Sequence, residues 1–271
     1  MERQLPTLEI EGTTFLVDIQ QMAIIQKGIP DNIIFFAEIE NEDTHYNMPF
    51  DLKAKCLADG RTNEKDIVWV TVPRMSQLDP EGMAQKYNVP IEGITDKMDF
   101  EIMLENPAIA SRMKGKLNII EIEGHPFYVD FNMWSLRPHN DFSTQGISME
   151  PLHETEEYEF FPEDAIYLYK PAKHELFEPD WGTITELPKD TVIIKFPFLK
   201  EMDPVGYAHK FNRPLKDLLL ETNFKPTTCA IKRELTETNL PELFKQNKEW
   251  MAREKPKEKK NAPLKKRSRG I

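Results

Sequence analysis

Glycine and cysteine are scarce in this chain, and so are the local patterns that announce chemistry. With 11 glycines in 271 residues, there is little material for a loop that cradles phosphates. No glycine-rich phosphate loop, Gly-x-Ser-x-Gly turn or His-Glu-x-x-His helix occurs. The two cysteines, Cys56 and Cys229, form no Cys-x-x-Cys pair and match no zinc spacing. They read as two buried free thiols of a reducing compartment, which points to a cytoplasmic location. Long apolar runs are also missing. The densest, Ile33 to Ala37, has the size of a strand, far below the roughly 20 residues of a membrane helix. Residues Met1 to Pro6 lack the apolar stretch of a secretory signal. A membrane is therefore not an expected partner.

What the chain has is internal similarity. Leu8 to Asp18 returns as Ile120 to Asp130, identical at seven of eleven places at an offset of 112. Asp66 to Pro90 returns as Asp190 to Pro214 at an offset of 124, with ten of twenty-five places identical. Two matched blocks in the same order predict a tandem duplication of a unit of about 110 to 125 residues, near the usual size of one domain. The expected organisation is a first unit over residues 1–115, a second over 116–252 and a tail over 253–271.

Within each copy the alternation of apolar and polar residues predicts a hairpin, Thr7 to Asp18 turning at Glu11-Gly12 and its counterpart turning at Glu123-Gly124. Further extended segments are expected at Ile33 to Ile39, at Tyr46 to Leu57 with an interruption at Pro49, at Ile67 to Val72, at Ile166 to Lys170 and at Val192 to Phe196. Asp79-Pro80 and Asp203-Pro204 place a capping carboxylate before a first-turn proline, and Asn88 and Asn212 suit a left-handed helix end. Gly82 and Gly206 weaken those helices by about 1 kcal/mol each relative to alanine, and their recurrence suggests close backbone packing. Asp96 to Leu104 and Thr227 to Leu235 read as strands, Asn106 to Lys116 and Asn239 to Glu254 as helices. Strands and short helices in mixed order give an α+β class, with antiparallel strands and hairpins.

The titratable residues offer no inherited site. Histidines 45, 125, 139, 153, 174 and 209 fall at unrelated places in the two copies, His125 opposite Thr13 and His209 opposite Gln85. No shared metal centre and no cofactor are expected. The carboxylates that recur, Glu9/Glu121, Glu11/Glu123, Asp18/Asp130, Asp66/Asp190 and Asp79/Asp203, read as strand exteriors, turn boundaries and helix caps. One acidic stretch is a candidate loop for docking a basic partner: Glu154, Glu156, Glu157, Glu159, Glu163 and Asp164, with aromatics interleaved. A solvated loop beside an edge strand is the plainer reading of the same residues.

Charge is segregated. Lys255, Lys257, Lys259, Lys260, Lys265, Lys266, Arg267 and Arg269, against Glu254 and Glu258, give the tail +6 and leave −17 on the rest of a chain whose formal net charge is −11. Such a tail has too few apolar residues to order itself and suits a nucleic-acid or other polyanion contact, with a solubilising segment or a contact with the acidic body as the other readings of the same residues. The leading expectation is a non-catalytic cytoplasmic binding or adaptor protein, acting on an unknown protein partner, with nucleic acid as a second partner through the tail. An acidic inhibitor or nucleic-acid mimic acting on a basic protein is the first alternative. An enzyme with a site between the two units is the second.

Overall fold

The computed structural model describes residues 3–141, 143–158 and 164–254. The basic tail from Lys255 and the carboxylates Glu159 and Glu163 lie outside the described residues. Among the described residues the class is α+β, with nine α-helices and four sheets whose strand pairs are antiparallel in all but one case. The chain forms two compact units, one of Met1–Glu163 and Phe196–Ala230, the other of Asp164–Lys195 and Ile231–Ile271. Sequence segments 1–115 and 116–252 thus both contribute to the first unit.

The first unit opens with β1 (Thr7–Ile10) and β2 (Thr13–Asp18), paired so that Ile10 faces Thr13. Glu11 and Gly12 between them both take positive φ, 47° and 70°, the backbone of a tight turn that matches the strands' twist. β3 (Ala23–Gln26) and β4 (Ile33–Phe35) complete a four-stranded meander. A second sheet follows, β5 (Glu40–Asn41), β6 (His45–Asp51) and β7 (Ile67–Pro73). Pro49 does not interrupt β6 as expected. It lies opposite Trp69, and its carbonyl accepts from Ala58 N at 2.8 Å rather than from β7. The position is one where the β6–β7 ladder makes no bond, so a missing N–H costs nothing.

Four helices come next: α1 (Met75–Leu78), α2 (Pro80–Tyr87), α3 (Asp99–Glu105) and α4 (Pro107–Met113). The strand expected over Asp96 to Leu104 is the helix α3 instead. Its reason is tertiary: Asp99 is buried, accepts from Met75 N, Ser76 N and Tyr46 Oη, each at 2.8 Å, and so supplies the capping acceptor that α1 lacks. Ile102 and Met103 then face the core.

The second matched hairpin is β8 (Ile119–Ile122) and β9 (His125–Asp130), again turning on two positive-φ residues, Glu123 and Gly124. β10 (Ser135–Pro138) and β11 (Ile147–Ser148) extend this sheet, and α5 (Glu150–Tyr158) follows. The chain then runs through β12 (Tyr167–Lys170), β13 (Glu175–Phe177) and β14 (Val192–Lys195) of the second unit. It returns as α6 (Leu199–Met202), α7 (Pro204–Phe211) and α8 (Leu215–Glu221), and β15 (Thr227–Cys229) joins β8 in parallel. One core cluster runs from Phe15, Ile24, Phe36 and Phe50 through Met83 and Ile102 to Leu219 and Leu220 of α8. Burying each large apolar side chain contributes about 1.5–3 kcal/mol.

In the second unit the sheet has the order β13, β12, β14 and then β16 (Ile231–Arg233), and it is followed by α9 (Leu240–Glu254). Leu168, Ile193, Leu240 and Phe244 make its core. Asn247 of α9 is buried and donates to the carbonyls of Trp181 (3.0 Å) and Ile184 (2.7 Å), which fixes the 178–191 loop.

The matched Asp-Pro helices have the same ends. Asp79 accepts from Gly82 N at 2.9 Å and Asp203 from Gly206 N at 3.0 Å, while Asn88 and Asn212 end the helices at φ 52° and 51°. Each cap is also an ion pair: Arg3 forks onto Asp79, and Arg112 Nε donates to Asp203 at 2.8 Å. These pairs explain the two glycines better than backbone packing does. A Cβ on Gly82 would lie 2.6 Å from Asp79 Cγ and 2.9 Å from Arg3, and one on Gly206 would lie 2.7 Å from Phe131 and 3.0 Å from Arg112. Asp203→Ala should therefore cost on the order of 3 kcal/mol, because it strands the mostly buried Arg112, rather than the ~1 kcal/mol of a lost cap. Urea melts of this variant beside Asp79→Ala, whose Arg3 keeps more contact with water, should show the larger loss at Asp203.

Candidate binding cleft

The site is built from a turn, a strand end and two helices of the first unit. After β2 the chain turns on Asp18, whose Oδ1 accepts from Gln20 N (2.9 Å) and Gln21 N (3.2 Å), and Met22 takes φ 54°. Gln20 and Gln21 are left pointing to solvent while Met22 is buried. The end of β4 and the short 3-10 turn Phe36–Glu38 form a second wall. There Glu38 accepts from Phe35 N at 3.2 Å, and Phe35 is 40% exposed. Lys200 of α6 and the last turn of α8 close the other side.

Together these segments bound an open cleft of about 600 Å³, lined by Gln20, Gln21, Met22, Phe35 and Glu38 from the first sequence copy and by Lys200, Glu221 and Asn223 among others from the second. Lys86, on α2, bridges the two sides: its ammonium donates to Gln20 O at 3.0 Å and to Asn223 Oδ1 at 2.9 Å. Burial pushes this amine down to about 8, against the opposing pull of Asp18. Glu221 is held by Lys200 at 2.8 Å and by Arg213 at 3.3 Å. The lining thus combines carboxamides, two carboxylates, an ammonium and the apolar faces of Met22, Phe35 and Leu220. That inventory suits hydrogen-bonded recognition of a polar ligand with an apolar part. Among the described residues no group of three or more His, Cys, Asp or Glu side chains is arranged to hold a metal ion.

Of the acidic residues singled out in the sequence, the four that the structure describes are split between two places. Glu154, Glu156 and Glu157 belong to α5, and Asp164 begins the second unit. Glu154 is exposed, Glu157 lies 3.7 Å from His153 Nε2, and Glu156 turns inward to accept from Leu199 N at 2.6 Å. Burial pushes the Glu156 carboxyl up to about 7. Glu156 thereby does for α6 what Asp99 does for α1. Beside it, His153 stacks on Phe211 with ring centroids 5.0 Å apart and meets the edge of Trp134, whose Nε1 donates to Glu150 at 2.6 Å.

No protein-family model, curated protein or solved structure matches this chain. Its site therefore rests on geometry alone.

Sequence reasoning passed over Gln20, Lys86 and Asn223. A signal for one of them was present: Lys86 recurs as Lys210 in the second matched block. The two lysines reach toward the turn that follows their own copy's hairpin, Lys86 to Gln20 and Lys210 to the face of Trp134 at 4.7 Å. Only the first borders the cleft.

Two pH effects follow. Lys86 binds its proton less tightly in the folded chain than in the unfolded one. The unfolded chain then carries more protons between about pH 8 and the ordinary lysine range, and stability rises with pH across that window. Lys86→Met should flatten the rise in thermal melts from pH 7.5 to 10. Glu156 has the opposite sign: the folded chain holds its proton up to about 7, so stability falls as pH rises from the ordinary carboxylate range to 7. Glu156→Gln keeps an acceptor for Leu199 N and should melt above the wild type at pH 8 but level with it near pH 4.

Proposed function

We propose that this chain is a cytoplasmic, non-catalytic binding or adaptor protein that receives its partner in the cleft bordered by Lys86. The observation that carries the reading is the cleft's composition: residues of both matched halves of the sequence line it, and its charged groups already have partners within the fold, Glu38 accepting from Phe35 N. Lys200 neutralises Glu221, and Lys86 is spent on Gln20 and Asn223. Groups so engaged select a ligand by shape and hydrogen bonding. Activating a nucleophile calls instead for a base poised beside it. The two free thiols are not both buried as expected, Cys56 being half-buried and Cys229 exposed, and unpaired thiols are in keeping with a cytoplasmic location.

We also infer that the two copies arose by duplication, with support from their matched hairpin turns, aspartate caps and asparagine helix ends. The sequence of the tail supports a second contact, with a polyanion, through Lys255 to Arg269.

The two contacts are tested separately. In affinity capture from host extract, the wild-type chain should retain a partner that a Gln21→Arg, Phe35→Asp double variant loses, with the melting temperature of the variant unchanged. Equal capture by both would remove the cleft from the proposal. For the tail, titration with random duplex DNA at two salt concentrations should show binding that weakens steeply with salt and is mostly abolished by truncation after Ala252. Binding that survives the truncation would move the contact to the folded body.

A further inference from the structure

β7 is an edge strand, and the side it turns outward is free. The sheet ends there, and among the described residues no backbone group outside the sheet bonds Trp69 or Thr71. The register decides which groups are turned outward. Leu52 N donates to Asp66 O at 2.8 Å, whereas Asp51 N goes to Cys56 O and Pro49 O receives Ala58 N. Bonds between β6 and β7 therefore fall at Val68, Val70 and Val72, and the N–H and C=O groups of Trp69 and Thr71 point away from the sheet. Ile67 N is already spent on Glu64 O, and Pro73 has no N–H. The unpaired edge is thus bounded on both sides, with two donors and two acceptors between.

Between Ile67 and Pro73 this edge carries neither a charge nor a proline, two of the devices that keep strands apart. Trp69 presents its ring to solvent at 63% exposure. The sequence around Val70 is also symmetric, with Val68 and Val72 at equal distances on the core-facing side and Trp69 and Thr71 on the other.

We propose that β7 is a self-association edge, pairing antiparallel with β7 of a second copy about a two-fold axis at Val70. In that register Trp69 and Thr71 exchange both of their outward bonds with Thr71 and Trp69 of the other copy, four hydrogen bonds in all. Val70 faces Val70 and Val68 faces Val72, while at the ends Ile67 faces Pro73, where one donor is spent and the other absent, so the carbonyls of both stay with water and the pairing stops there. A closed two-fold contact of this kind uses one patch twice and stops at the dimer. The symmetry of the strand is what favours a second copy over an unrelated extended peptide.

Sedimentation equilibrium of the full chain over a wide concentration range tests the proposal. The wild type should reach twice the mass of the chain. Trp69→Lys, which brings a charge to the edge, and Thr71→Pro, which removes an outward donor that the fold does not use, should both stay monomeric with little change in melting temperature. The register is tested in a chain with Cys56→Ser and Cys229→Ser. Residues facing each other at the axis of an antiparallel pair lie about 4.5 Å apart between Cα atoms, within disulfide reach. Val70→Cys should therefore cross-link under mild oxidation, and Ile91→Cys, at an exposed position away from the strand, should not. A wild type monomeric at every concentration overturns the proposal. So does a dimer that survives both edge substitutions, or one that fails to cross-link through Val70→Cys.

Discussion

A buried aspartate at the start of a helix, held by an arginine from just ahead of a hairpin, is the constraint around which each half of the first unit is arranged. Asp79 and Asp203 are almost wholly out of water, and a carboxylate there is tolerable only because backbone N–H groups and a guanidinium surround it. That requirement fixes much else. Gly82 and Gly206 must lack a Cβ, and the segment before each hairpin must run close enough for Arg3 or Arg112 to reach its cap. Arg112 falls within residues 1–115, yet it serves the second copy as Arg3 serves the first. The pattern is set by distance to a hairpin rather than by a boundary in the chain.

Around this common frame the two matched segments solve the same local problem with different parts. α1 and α6 are single turns that need an outside acceptor for their first N–H groups. One receives it from Asp99 on α3, the other from Glu156 on α5. Lys86 and Lys210 leave equivalent helix positions, but one meets a carbonyl and an asparagine at the edge of the cleft and the other lies on an indole. The aspartate caps, asparagine helix ends and hairpin turns recur in the two matched segments, while the contacts made by Lys86 and Lys210 beside them differ.

The features legible in the sequence are those whose cause is local. A positive-φ Glu-Gly pair between alternating strands, an Asp-Pro start and an Asn stop each carry their reason within a few residues, and each is where it was expected. The class, α+β, followed from them. Pro49 misled because its tolerance depends on register: whether a missing N–H matters is decided by a partner strand twenty residues away. α3 misled because Asp99 is drawn to Met75 and Ser76, a contact that no pattern within Asp96 to Leu104 encodes. Glu156 looked like one of several solvated acids, and only the arrival of Leu199 more than forty residues later turns it inward. The cleft was illegible for the same reason, since Gln20, Lys86 and Asn223 are brought together from three distant segments.

The route of the chain also bears on how the molecule is made. The first unit's core includes Leu219 and Leu220, and β8 waits for β15 at Thr227–Cys229, so a nascent chain that has completed 163 residues still lacks the parts that close that core. Meanwhile Asp164–Lys195 emerges as strands whose last partner, β16, and covering helix, α9, are not yet synthesised. Neither unit can finish before residues 219–244 have been made. Both are committed late, through contacts of long sequence separation, the kind that makes folding slow. Until those residues arrive, the hairpins and capped turns already made carry unfinished hydrophobic surfaces, which favour wrong associations.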